Sequence, residues 1–313
     1  MNKIHISGSL AYDHIMDFPG LFKDHFIPGK LHNINVSFNI ETYRENFGGT
    51  AGNVAYSLDL LGEDVSILAT VGNDFARYRA YLDGLGIDTD SIHTNDTEVT
   101  ASAYIMTDQA DNQIAAFHPG ALATPYGTDV PVIENSLAII SAGCLDDMRA
   151  MPDIYRGNGV HFLFDPGQTI PALTGNDLRN GIVDAHTVFA NDYEFAMISE
   201  KTGWKEADVI RSAQTLVITL GGEGSRVITK NGEVIVKAVP ATTLKDPTGA
   251  GDAYRAGYIK GLQLKMSPAE CAQLGSAVAV YAVESYGTQN HHFTLTELNE
   301  RYLNTYRKAL ALS

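Results

Sequence analysis

Apolar positions along this chain recur with the periods of strands and of helices in turn. Lys3–Ser7 predicts a short strand running into Gly8, after which residues 9–47 become irregular, aromatic and broken by Pro19 and Pro28. Inside that stretch Ile34, Val36, Phe38 and Ile40 alternate with polar neighbours, so at least one half-exposed strand is expected there. Val54, Leu58 and Leu61 fall on one face of a helix over Ala51–Leu61, entered through Gly48-Gly49 and ended by Gly62. Val65–Val71 reads as a buried strand and Phe75–Leu85 as a helix with Gly86 behind it. Ala101–His118 breaks the rhythm: two apolar runs flank an Asp111-Asn112 turn, as in a hairpin. Strands at Leu137–Ser141, Phe162–Asp165, Thr187–Ala190 and Leu216–Leu220 are each followed by a polar or glycine-rich turn, the pattern of a parallel sheet with crossover helices. A second hairpin surrounds Asn231-Gly232, and two late helices cover Ala250–Leu264 and a run from Pro268, where Ser267, Pro268 and Glu270 have N-cap, N1 and N3 character. The fold class is α/β: a doubly wound, mostly parallel sheet flanked by helices. Residues 1–313 read as a single domain, with a small accessory sheet built from the excursions 9–47 and 98–120.

Composition narrows the function. With 44% hydrophobic and 19% charged residues the chain has a packed core. A formal charge of −15 argues against nucleic acid and anionic membranes as partners. No apolar run reaches the ~18 residues of a membrane span, and the start MNKIHISGSLAYD lacks a basic region followed by an apolar one. A cytoplasmic protein is expected. Cys144 and Cys271 sit in apolar stretches without zinc-type spacing and read as buried thiols. His14, His118, His291 and His292 are not spaced for a metal, so surface or lid positions are expected for them.

The most informative segment is Asp246-Pro247-Thr248-Gly249-Ala250-Gly251-Asp252-Ala253-Tyr254. Small residues let the backbone turn tightly into a helix start, where unpaired amides and the helix dipole form an anion site. Asp252 would stand in the first helical turn. A carboxylate beside an anion cradle is badly placed to hold phosphate and well placed to take a proton from a hydroxyl that attacks phosphorus. Gly48-Gly49-Thr50-Ala51-Gly52-Asn53 is a second glycine entry to a helix, and Asn53 offers both donor and acceptor to sugar-like hydroxyls. A third glycine cluster, Thr219-Leu220-Gly221-Gly222-Glu223-Gly224, follows a strand end, where open sheets collect ligands. None is a Walker A loop or a dinucleotide fingerprint.

These motifs resemble the PfkB family of carbohydrate and nucleoside kinases, which have the ribokinase fold. Gly48-Gly49 through Asn53 with Ala55, Leu58, Leu61 and Gly62 match its N-terminal signature, and Asp246 through Tyr254 with Gly257 its C-terminal one. Asn191-Asp192-Tyr193-Glu194 is similar to the family's Asn-x-x-Glu element, though alone Asn191 reads as a helix cap. The resemblance implies that Asp252 is the catalytic base and that the amides of Gly249, Ala250 and Gly251 form the anion hole. It puts ATP near Asn191, Thr219, Gly221, Gly222 and Gly224, with Mg²⁺ reached by Glu194 through water. It also raises a monovalent cation, K⁺, beside Asp246, where Pro247 replaces the commoner Thr; Tyr254 likewise replaces Phe.

By the same resemblance the excursions are a lid and Asp13, Gly48, Gly49 and Asn53 clamp a furanose. Phe18, Phe22, Phe26, Phe38, Tyr43, Phe47, Tyr104 and Phe117 make this lid aromatic, which suits a flat purine better than a free sugar, and Phe117 is assigned to the substrate. Ala11-Tyr12-Asp13, Asn112-Gln113-Ile114, Phe117 through Ala121 and Gly287-Thr288-Gln289 look like the bacterial adenosine and broad nucleoside kinase branch. The expected activity is 5′-phosphorylation of a purine nucleoside, foremost adenosine, by a monomer or homodimer. A sugar kinase shares every signature; the missing basic cluster near Asp13 and Asn53 weighs against a phosphosugar. A regulatory protein on this fold would be expected to have lost Asp252 or the glycines.

Overall fold

The computed structural model describes residues 3–27, 29, 35–110, 112–131 and 136–310. Its large sheet contains β1 (Ile4–Ser7), β4 (Val65–Gly72), β5 (Ile92–Asn95), β8 (Leu137–Ser141), β9 (His161–Asp165), β10 (Thr187–Asn191), β11 (Thr215–Thr219), β12 (Ser225–Thr229) and β13 (Gly232–Val236). They lie in the order β13-β12-β11-β10-β9-β8-β1-β4-β5, parallel from β11 to β5 and antiparallel only at the β11–β12–β13 edge. The chain winds outward in both directions from β1 and β8, so a crevice opens at their carboxyl ends, the place where such sheets bind ligands.

Alternation along these buried strands divides the core between two layers. Ile4, Ile6, Ile67, Ile139, Leu163, Phe189 and Val217 face α1 (Thr50–Leu60), α2 (Ala76–Leu85), α7 (Ala250–Gln263), α8 (Pro268–Val283) and α9 (Leu295–Tyr306). Ala138, Ile140, Phe162, Phe164, Val188 and Leu216 face α3 (Leu145–Gly157), α4 (Gly175–Ile182), α5 (Asp192–Thr202) and α6 (Glu206–Ser212). Capping boxes start α4, α5, α8 and α9, the Ser267/Glu270 pair among them. Each satisfies two orphan amides and so fixes where the helix begins. Among the described residues no helix is long and apolar enough to cross a membrane.

A smaller sheet stands beside this body: β2 (Ala11–Asp17), β3 (Thr42–Gly48), β6 (Ala101–Thr107) and β7 (Gln113–His118), in the order β3-β2-β6-β7. The expected hairpin is present; Asp111 of its turn lies outside the described residues. The alternation at 34–40 does not make a strand. Ile34 lies outside the described residues and residues 35–40 are irregular. Phe38 instead meets Phe18 and Phe22 edge-on at 5.0 and 5.2 Å, while those two stack at 5.6 Å. Of the alternating set Phe38 alone joins this knot of aromatics, and among the described residues no strand pairs with 35–40 to supply a ladder.

Candidate functional site

A cavity of about 450 Å³ opens at the carboxyl ends of the strands, lined by Thr50, Asp165, Asn191, Glu194, Thr219, Gly221, Gly249, Gly251, Asp252 and Arg255 among others. One wall is the start of α7. Gly249 occupies its N-cap at φ 77°, a left-handed conformation that costs glycine little. The turn before it is tied down by Asp246, whose Oδ1 accepts from the Thr248 amide at 2.9 Å and Oδ2 from the Gly287 amide at 3.1 Å. Among the described residues the amides of Gly249, Gly251 and Asp252 donate to no carbonyl, which leaves them open to an anion. Ala250 differs: its amide donates to Pro247 O at 3.2 Å, so this member of the expected anion hole closes the turn instead.

Asp252 is half-buried at the cavity wall. Asn53 Nδ2 donates to its Oδ2 at 2.8 Å, and burial pushes its carboxyl up to about 7, with Asp165 and Asp13 adding to the rise while Asn53 and Arg255 oppose it. Asn53 is aimed by Gln289, whose Nε2 donates to Asn53 Oδ1 at 3.0 Å and to the Tyr78 hydroxyl at 2.6 Å; that hydroxyl donates in turn to Gly48 O at 3.0 Å. Gln289 and Tyr78 were missed as supports of the site, because more than 200 residues separate Gln289 from each of its partners.

On the far side of Asp252 lies the lid. Asp13 pairs in register with Asn46 and Ala103, and Ala103 with Phe117, so these four share one lid face. A Cβ on Gly48 would come within 2.3 Å of Asp13 Oδ2, and one on Gly49, at φ 88°, within 2.4 Å of Ser9 O, so both glycines are needed for the approach of lid to body. Burial, then the charge of Asp246, pushes the Asp13 carboxyl up to about 6. Among the described residues its side chain has no hydrogen-bond partner in the protein, as suits a group kept for a ligand. Phe117 is 55% exposed on this face. His14, stacked on Tyr104 at 4.5 Å and Tyr43 at 5.9 Å, lies on the opposite face.

The remaining predicted residues divide. Thr219, Gly221, Asn191 and Glu194 line the cavity; Gly222 and Gly224 do not. Gly224, at φ 104°, is packed against Val236 O and turns the chain into β12. Asn191 and Glu194 form a capping box: Asn191 Oδ1 accepts from the Glu194 amide and Glu194 Oε2 from the Asn191 amide, both at 2.7 Å. Glu194 Oε1 is left for other use, and burial raises this carboxyl above its ordinary value. Asp165 and Arg255 were not foreseen; they form a bidentate pair in the cavity floor. His291, expected at the surface, is 1% exposed, with burial lowering its ring to about 4. Cys144 and Cys271 are buried free thiols.

Comparison with known proteins agrees with this geometry. Residues 9–294 match the family model described as pfkB family carbohydrate kinase. The chain is 31% identical over 308 residues to the nucleoside kinase of Methanocaldococcus jannaschii, covering 96% of this chain and 97% of that protein. It is 33% identical over 267 residues to the nucleoside kinase of Methanothermobacter thermautotrophicus, covering 82% and 84%. Among solved structures, Burkholderia thailandensis nucleoside kinase in complex with inosine superposes with a TM-score of 0.88 at 33% identity, covering 98% of this chain and 100% of that one.

Proposed function

The chain belongs to the pfkB family of carbohydrate kinases, and we propose that within it the protein transfers the γ-phosphate of ATP to the 5′-hydroxyl of a purine nucleoside, adenosine foremost. One observation carries the reading: Asp252 stands between an anion cavity and an unpartnered Asp13, with Asn53 holding one of its oxygens. Asn53 occupies Oδ2, which leaves Oδ1 to accept the proton of the attacking hydroxyl as its oxygen closes on phosphorus. The free amides at the start of α7 are aimed where the phosphoryl oxygens gather charge, and being fixed by the Asp246 tie they need no reorganisation. Asp13 would hold the ribose diol, and Phe117 the face of the base.

The donor site fits MgATP. Glu194 keeps one carboxylate oxygen on the cavity wall after capping its helix, beside Asp192. Magnesium bound with ATP would neutralise phosphate charge there, reached by Glu194 through water. Both oxygens of Asp246 accept backbone amides, so it serves as a tie between two loops; K⁺ there would have to share those oxygens. A cytoplasmic setting belongs to the same proposal.

A coupled ADP-release screen across adenosine, inosine, guanosine, cytidine, ribose, fructose and fructose 6-phosphate tests the reading, with ³¹P NMR of the product. A 5′-monophosphate from adenosine or inosine is expected. Turnover confined to a free sugar would replace the proposal by a sugar kinase, and turnover of none would remove it.

A further inference from the structure

Four carboxylates line the cavity, those of Asp165, Asp192, Glu194 and Asp252, and among the described lining residues there is one cation, Arg255. Such a wall opposes ionisation of the one carboxylate that must accept a proton. Arg255 follows Asp252 by three positions on α7 and so lies on the same side of the helix. It is held rather than free. Nε and Nη2 donate to Asp165 Oδ2 and Oδ1, both at 2.9 Å, and Nη1 donates to Gly251 O at 3.2 Å. The guanidinium carbon also lies 5.1 Å from the centre of the Phe189 ring. Side chains of the pair are 7% and 6% exposed.

We propose that Arg255, clamped by Asp165, is a positioning residue that sets the charge balance around Asp252 and favours the ionised form of that carboxylate for proton abstraction. The groups facing Asp252 are Asn53 from α1, Asp13 from β2, Asp165 from the end of β9 and Arg255 from α7, with Asp192 and Glu194 of α5 across the cavity. Only Arg255 is positive. Burial works against its charge, yet Asp165 holds the guanidinium above the ordinary arginine value, so the cation persists throughout the working range. The two partners act on Asp252 with opposite sign: Arg255 favours the anion and Asp165 opposes it, and their fixed geometry decides the net effect. A purely structural tie between α7 and β9 explains the pair less well, because desolvation offsets most of what a buried ion pair gains in stability.

The claim concerns the titration of Asp252, so it is measured without substrate. Protein carrying ¹³C-carboxyl aspartate is titrated by NMR, with Asp252 assigned by its absence in Asp252→Asn. Arg255→Gln should raise the Asp252 midpoint by about one pH unit or more and Asp165→Asn should lower it, while Arg255→Lys stays near the parent. Where Arg255→Gln fails to fold, because Asp165 is left buried without its partner, Asp165→Asn and Arg255→Lys carry the test. Shifts of opposite sign support the claim. A midpoint that does not move in Arg255→Gln or in Asp165→Asn, or that moves the same way in both, overturns it even if every variant loses activity. The claim takes its kinetic meaning from the kinase reading: the acid limb of the kcat profile should follow the NMR midpoint in each variant. If no acceptor is turned over, the kinase reading fails while the titration still decides the electrostatic claim.

Discussion

The cavity wall and the lid face use opposite strategies around the same carboxylate. On the cavity side several groups are held by others: Asp246 ties two loops, Asn191 and Glu194 cap each other, and Arg255 is clamped by Asp165. Across Asp252 the lid presents Asp13, whose side chain has no protein partner among the described residues, and Phe117 largely exposed. In the proposed function the chemistry rests on rigid strand ends, and the choice of acceptor on a sheet that carries open groups. Preorganisation serves the transition state, while unsatisfied groups serve recognition.

The largest expected effect lies where the two regions meet. Asp252→Asn should lower kcat by ~10²-fold or more with nucleoside and ATP affinity within several-fold, since only proton abstraction is lost; turnover within threefold of the parent would remove the base assignment. With its carboxyl near 7, Asp252 should also give kcat an acid limb there, activity rising as pH climbs through the midpoint.

On the lid side, Asp13→Ala should weaken ribonucleosides by ~1.5–3 kcal/mol and 2′,3′-dideoxynucleosides hardly at all, as read by calorimetry. Equal losses would make Asp13 structural. Phe117→Ala should cost ~1–3 kcal/mol in kcat/KM for adenosine and little for ribose, in line with loss of base stacking. Tyr104→Ala, on the opposite face, should leave adenosine kinetics unchanged; a loss equal to that of Phe117→Ala would mean that lid stability, not stacking, was being measured.

The smallest effect is thermodynamic. A carboxyl whose folded pKa is raised adds stability below its unfolded pKa and loses it as pH rises through the folded value. Between about pH 4 and 7 the Asp252 carboxyl therefore becomes a liability. Asp252→Asn should unfold about 2–4 °C higher than the parent at pH 8, the gain vanishing near pH 4 in a thermal melt.

The two regions also differed in how far the sequence revealed them. The glycine turns at Gly48-Gly49 and Gly249–Gly251, with Asn53 and Asp252 behind them, lie in contiguous stretches whose glycines have a backbone reason, so their place in the fold was readable, as was the helix cap of Asn191. Ala250 escaped, because which amide a turn consumes depends on its exact closure on Pro247. Arg255 and Asp165 are 90 positions apart and each looks ordinary alone. In the lid the eight aromatics do not share one role: Phe18, Phe22 and Phe38 pack on one another, Tyr43 and Tyr104 stack on His14, and Phe47 lies on Tyr78 at 4.5 Å. Strand register separates Phe117 from Tyr104 within the small sheet, and a one-residue slip would reverse the faces.

Adenosine and ribose compared in one ADP-release assay decide whether the lid face selects a nucleoside. kcat/KM for adenosine should lie at least ~10²-fold above that for ribose, from stacking of ~1–3 kcal/mol added to burial of the ring. Comparable efficiency on the two would contradict it and return the acceptor to a free sugar.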